Sequence, residues 1–322
     1  MSSSANRARH SILGAIIGDA LGTTFEFATA QQAQKELKKY ANFKNGLVGL
    51  GPFNLIAGQF TDDTEMALAI MSVIISHGKY DQKLVAHAYR KWYLSKPFDI
   101  GRTTSIAVAQ KSREDMIHMA KTSNYYSLSN GFLMRIFGLI SLYHDKTQKE
   151  LIEAIISDTM LTHGNPETHA ISSIYGLMLY EAIHGATASS VYALGKEKSN
   201  HSLLITTIYD TVENNRDYFV YDDRTYQISK IDSYMIGFVG YAFWLLLLVL
   251  KNVTSYKMAI LTIVKFGGDT DTNACIVGAV MGAIYPDTIP KSWIKSVINC
   301  NAKSRYQNYP IADPRVWTKW LP

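Results

Sequence analysis

The sequence predicts an all-α fold, a compact single-domain orthogonal bundle of roughly ten or more helices. Three observations carry that prediction. Apolar residues recur at helical spacing along nearly the whole chain. Stretches alternating β-branched and polar residues are almost absent, and YFVYDDRTYQIS, residues 218–229, is the best local candidate for a strand. No fixed-period repeat, low-complexity tract or linker interrupts the 322 residues, so 1–322 is read as one domain.

The elements follow in order. SILGAIIGDALG reads as a helix, its apolar run broken only by Asp19. TEMALAIMSVIISHG has helical spacing and closes on His77-Gly78, a good C-terminal signal. QKLVAHAYRKWYLS is amphipathic and stops before Pro97. KELIEAIISDTMLTHG and ETHAISSIYGLMLYEAIHG repeat the form. SYKMAILTIVKFGG and TNACIVGAVMGAIYP complete the core. Residues 233–250, SYMIGFVGYAFWLLLLVL, carry no charge and stand at the lower edge of a bilayer span. They hold two glycines and have no counterpart elsewhere, so they are read as a buried core helix.

Composition narrows the function classes. With 47% hydrophobic and 18% charged residues the chain can bury a substantial core and is not a disordered sequence. The net charge of +5 comes from scattered lysines and arginines, which indicate a solvated surface and no nucleic-acid groove. Cys275 and Cys300 make no disulfide framework, and a reducing compartment is the simpler setting. MSSSANRARH does not resemble a cleaved signal peptide. A cytoplasmic monomer, free of membrane, is expected.

The chemistry concentrates in two acidic clusters. GQFTDDTEMALAI sets Asp62 and Asp63 side by side at a helix start, and KFGGDTDTNACIVGAV repeats the pattern with Asp269 and Asp271. Asp and Thr are favoured helix caps, and Asp62 followed by Glu65 matches a capping box with Asp as the cap. Capping, however, uses one side-chain oxygen. It explains neither a second adjacent carboxylate nor the same excess at two helices. A divalent cation accounts for both, because hard cations take carboxylate, hydroxyl and water oxygens. No Cys or His stands at zinc spacing, so Mg²⁺ or Mn²⁺ is the natural choice.

GDALGTTFEF, GQFTDDTEMAL, FDIGRTT, SNGFLMRI, LTHGNPETHA and KFGGDTDTNACIVGAVMGAIY occur in the order found in the ADP-ribosylglycohydrolases, and over about residues 10–286 the chain resembles that family. The C-terminal remainder is expected to pack on this domain. The resemblance implies an all-α fold with a metal-binding cleft holding two Mg²⁺ (or Mn²⁺). By motif match the metal ligands would be Thr61, Asp62, Asp63, Asp269, Asp271 and Thr272. Glu26 and Asp99 would be catalytic, either one serving as acid or base in a glycosidic hydrolysis. Substrate contacts would come from Asn130, Gly131, Phe132, His163, Tyr234, Gly268 and Arg102.

The implied activity is hydrolysis of the bond between ADP-ribose and an acceptor, with an ADP-ribosylated protein or an ADP-ribose-containing small molecule as partner. Three segments depart from the family pattern. Arg102 follows DIG where asparagine is frequent, Phe132 follows NG where a small residue is usual, and Gly237 and Gly240 stand in the tyrosine segment where polar residues are common. Arg102 and Phe132 motivate one alternative, a degenerate module that binds ADP-ribose without turnover; the lens proteins of the family suggest another, a structural use of the fold.

Overall fold

The computed structural model of the chain describes residues 3–40 and 43–322. Seventeen α-helices are present among them. The first six are α1 (Ser3–Gly22), α2 (Ala30–Lys39), α3 (Asp62–His77), α4 (Gln82–Leu94), α5 (Arg102–Val108) and α6 (Arg113–Lys121). Next come α7 (Phe137–Leu142), α8 (Gln148–Thr159), α9 (Pro166–Ile183), α10 (Ala188–Lys198) and α11 (Leu203–Glu213). A hairpin of β1 (Tyr218–Tyr221) and β2 (Arg224–Gln227) intervenes. The chain closes with α12 (Val239–Asn252), α13 (Tyr256–Val264), α14 (Thr270–Ile284), α15 (Lys291–Ile298), α16 (Lys303–Asn308) and α17 (Pro314–Trp317).

Most helix boundaries have a local cause. Thr29 with Gln32 and Thr147 with Glu150 form capping boxes that start α2 and α8. Asp81 and Asn165 cap α4 and α9 through their side chains, and Pro166 takes the first helical position of α9. Gly78 ends α3 at φ +74°, its N–H reaching the Ile74 carbonyl. The strand candidate at 218–229 folds as two short antiparallel strands, with Phe219 opposite Tyr226 and Asp222-Asp223 both at positive φ in the turn.

The centre of the molecule is the pair α1 and α14. Every residue of α14 is buried, as is every residue of α1 from Ser11 to Gly22. The two helices touch backbone to backbone. A Cβ at Gly18 would lie 2.1 Å from the Ala274 carbonyl oxygen, and one at Gly278 would lie 2.4 Å from that of Gly14. This close approach brings Asp19 of α1 and Asp271 of α14 to one end of the pair, where α3 begins.

Residues 239–250 of the uncharged segment form most of α12, which at 14 residues is shorter than a span and is buried from Val239 to Leu250 apart from a half-buried Leu248. Among the described residues no single helix is long and apolar enough to cross a membrane, although α1 and α2, bent at 107°, pass as a pair by length and composition.

Candidate active site

The N-terminus of α3 is capped from another helix. Asp19 is fully buried on α1, and its carboxylate accepts from the Thr61 and Thr64 N–H groups at 2.9 and 3.1 Å and from their hydroxyls at 3.0 and 2.6 Å. Asp62 therefore does not cap: it is the first helical residue, and Thr61 occupies the cap position without a side-chain cap bond. Glu65 does not complete a capping box either. It is buried and paired with Arg305 and Trp92. At α14, Asp269 stands at the cap position, also without a capping bond. Asp62, Asp63 and Asp269 thus take no part in helix termination, and Asp271 accepts one backbone N–H, that of the adjacent Thr272, at 2.9 Å.

These carboxylates gather at one cleft of about 330 Å³. Glu26, Asp62, Asp99, Asp269, Asp271 and Thr272 line it. One carboxylate oxygen from each of Glu26, Asp99 and Asp271 lies within 4.8 Å of the other two, close enough to hold a metal ion. Thr61 and Asp63 are fully buried immediately behind. The Thr61 hydroxyl lies 3.0 Å from Asp63 Oδ2 and 3.4 Å from Asp271 Oδ2, and the Thr272 hydroxyl lies 3.5 Å from Asp63 Oδ2.

Like charges this close, away from water, resist ionisation. Burial first, then Asp99 and Asp269, pushes Glu26 up to about 9. Burial, then Asp269 and Asp19, pushes Asp99 up to about 7. Asp62, Asp63 and Asp271 are held well above the usual carboxylate range, again by burial first and by neighbouring carboxylates second. Two oxygens, Glu26 Oε2 and Asp63 Oδ1, are buried without a hydrogen-bond partner. Orphaned carboxyl oxygens of this kind suit a cation, which would favour their ionised form, and the all-oxygen donor set suits Mg²⁺ or Mn²⁺.

The substrate residues named from sequence separate into three groups. Arg102, Asn130 and Gly131 line the cleft. Asn130 donates to Asp269 Oδ2 at 2.7 Å, and the Gly131 carbonyl accepts from the buried Arg135 at 3.0 Å. Phe132 and His163 are fully buried behind the wall, with their rings edge to face at 4.9 Å. His163 Nε2 meets the hydroxyl of the cleft residue Ser129 at 2.9 Å, so its link to the cleft is indirect. Tyr234 is 44% exposed, two residues from the cleft residue Ile236. Gly268 sits at φ +75°, where a Cβ would strike the Ile231 carbonyl oxygen at 2.5 Å. Its own carbonyl accepts from the N–H of Phe27, a cleft residue held in the left-handed region at φ +60°. Gly237 also lines the cleft, whereas Gly240 is buried in α12.

Asp19 escaped the sequence reading as a site residue. The signal was its isolation: one charge within an apolar helix must find partners when buried.

A sequence profile of the ADP-ribosylglycohydrolases matches residues 1–319. The chain belongs to the ADP-ribosylglycohydrolase family. A protein of Acanthamoeba polyphaga mimivirus, provisionally named an ADP-ribosyl glycohydrolase, is 52% identical over 323 residues, 98% of each chain. The ADP-ribosylarginine hydrolase Tri1 of Serratia proteamaculans is 27% identical over 305 residues, 92% of this chain and 76% of that one. A solved chain of an ADP-ribosylglycohydrolase-related protein complex shares the fold, with a TM-score of 0.69 at 22% identity over 98% of this chain and 99% of that one.

Proposed function

We propose that this chain is a metal-dependent ADP-ribosyl hydrolase, cleaving the N- or O-glycosidic bond between ADP-ribose and an acceptor on a modified protein or small molecule. The observation that carries the proposal is the pair of orphaned oxygens, Glu26 Oε2 and Asp63 Oδ1, within a carboxylate cluster that no helix cap employs. Thr61, Asp62, Asp63, Asp269, Asp271 and Thr272 would hold two Mg²⁺ or Mn²⁺ ions. When bound, such ions supply Lewis acidity and a water of lowered pKa.

The remaining work falls to the chain itself. Arg102 at the cleft wall offers a guanidinium fork to phosphate oxygens. Asn130 and Gly131 shape the wall beside Asp269, and Ser129 connects that wall to His163. Either Glu26 or Asp99 holds the proton passed to the leaving group. Arginine linkage has a precedent in the name of the Serratia relative. Cys275 and Cys300 are both unpaired and buried, which fits a reducing, cytoplasmic setting. We take residues 1–322 as one domain acting as a monomer.

The test is release of ADP-ribose from arginine-linked and serine-linked ADP-ribosyl peptides, with Mg²⁺ and with EDTA. Release that stops with EDTA supports the hydrolase and selects its linkage. ADP-ribose binding without release from either peptide would mark a binding module instead.

A further inference from the structure

Arg305 lies on α16, beyond the catalytic motifs, yet it is 6% exposed and reaches the first turn of α3. Its Nε and Nη2 donate to the two carboxylate oxygens of Glu65, each at 2.5 Å. Glu65 stands on the first turn of α3, three residues after Asp62 and two after Asp63. The same guanidinium donates through Nη1 to the Ser95 carbonyl and through Nη2 to the Ser95 hydroxyl, each at 3.0 Å. Ser95 is the C-cap of α4, and Lys96 follows it in the left-handed region at φ +56°. Pro97, Phe98 and Asp99 come next. One planar side chain therefore joins the turn that carries Asp62 and Asp63 to the point where the Asp99 loop leaves α4.

Glu65 is satisfied on every side. Trp92 Nε1 donates to Oε2 at 2.7 Å, and the Tyr309 hydroxyl donates to its backbone carbonyl at 3.2 Å. A buried carboxylate of this kind needs a cation, and a lysine would supply one. A lysine would not supply the fork. Only a guanidinium engages both Glu65 oxygens and the end of α4 at once.

We propose that Arg305 is a positioning residue for the hydrolase, fixing the Asp99 loop against the carboxylate turn of α3; this rests on the function proposed above. It touches no cleft-lining group itself and acts through Glu65 and Ser95. Misplacing a catalytic group by about 1 Å can cost on the order of a hundredfold in rate, so the loop's anchor bears on turnover far more than on substrate binding.

The experiment compares the full-length wild type, Arg305→Lys and Trp92→Phe. Arg305→Lys keeps the charge beside Glu65 and loses the reach to Ser95. Trp92→Phe removes a different bond to the same carboxylate and leaves the Ser95 link in place. Two readouts are taken. The first is amide exchange at Lys96, bonded to the Tyr93 carbonyl, and at Ser95, bonded to the Lys91 and Trp92 carbonyls. The second is kcat and KM for ADP-ribose release.

For Arg305→Lys we expect exchange at both amides to rise roughly tenfold and kcat to fall roughly ten- to a hundredfold, with KM changed less than about threefold. Trp92→Phe lowers the melting temperature and does neither. Unchanged exchange in Arg305→Lys, raised exchange with unchanged kcat, or an equal kcat loss in Trp92→Phe overturns the proposal. Should Arg305→Lys fail to fold, Ser95→Ala deletes a single hydroxyl and is judged by the same two readouts. A wild type that releases no ADP-ribose is a different failure: it removes the hydrolase itself, and is seen before any variant is measured.

Discussion

The Asp19 carboxylate accepts a 2.6 Å hydrogen bond from the Thr64 hydroxyl, across 45 residues of sequence and between two helices. With the bonds to Thr61 it satisfies the first turn of α3 from outside. Asp62 and Asp63 are thereby released from the role that aspartates at a helix start ordinarily fill. Asp19→Ala should cost about 3 kcal/mol, the sum of a lost cap and buried donors left without acceptors. Urea unfolding in EDTA measures it. A cost below about 0.5 kcal/mol would mean that α3 is terminated by other groups.

Asp63 should behave in the opposite way. It is fully buried, has one orphaned oxygen, and is held neutral-leaning by burial and by Asp19 and Asp62. Replacing it by the isosteric amide removes the cost of ionising this site without removing volume. In EDTA, Asp63→Asn should melt higher than the wild type, because the amide need not ionise beside Asp19 and Asp62. With Mg²⁺ the order should reverse, because the variant has less charge to offer, and turnover should be lost. Melting curves of both proteins in both conditions decide the matter. A variant less stable in EDTA as well would show that the carboxylate cluster stores no electrostatic cost.

The same cluster sets a pH dependence whose sign follows from linkage. Glu26 at about 9, Asp99 at about 7 and Asp19 at about 6 all lie above their unfolded values of 4.5, 3.8 and 3.8. Between those limits the folded protein holds more protons than the unfolded chain, so metal-free stability should rise as pH falls from about 9 toward 5. His163 opposes this at the acid end. Burial, then Arg135, holds it well below 6.5, so below that pH the unfolded chain takes a proton that the folded one refuses. Denaturant midpoints in EDTA at pH 9, 7 and 5.5 test the slope. His163→Gln should steepen the gain below pH 6.5. Saturating Mg²⁺ should flatten the slope, since cations compete with protons for the same oxygens. A metal-free protein that weakens steadily from pH 9 to 7 would contradict the assignment.

How much of this was legible before folding depends on the range of each interaction. The helix α3 and its end at Gly78 are local, and the 3.6-residue period with a glycine stop was sufficient. The hairpin was half legible: its turn uses Asp222 and Asp223 at positive φ in place of glycine or asparagine, so residues 218–229 read as one weak strand. The cap on α3 was misread because the true cap lies at Asp19, on another helix. Likewise Glu65, which fits a capping box by spacing, answers to Arg305 some 240 residues away. The two acidic clusters were visible as an excess of charge. Their convergence depends on the close contact of α1 with α14, which no single helical pattern encodes.

That contact yields the last prediction. Gly18 faces the α14 backbone so closely that even a methyl group would lie 2.1 Å from the Ala274 carbonyl oxygen, and backbone cannot rotate aside. Gly18→Ala must push the helices apart, at a cost of about 2–3 kcal/mol for overpacking. Asp19 is the next residue, and Asp271 lies one turn from Ala274, so the separation also misplaces the cap of α3 relative to Asp271. Turnover should therefore fall further than the loss of stability alone accounts for. Gly78→Ala is the control. Gly78, unlike the helical Gly18, has positive φ, but a methyl group there would meet only open space, so its strain should cost about 1 kcal/mol and leave ADP-ribose release unchanged. Equal effects of the two variants on release, once matched for stability, would mean that the α1–α14 contact holds the fold without setting the geometry of the site.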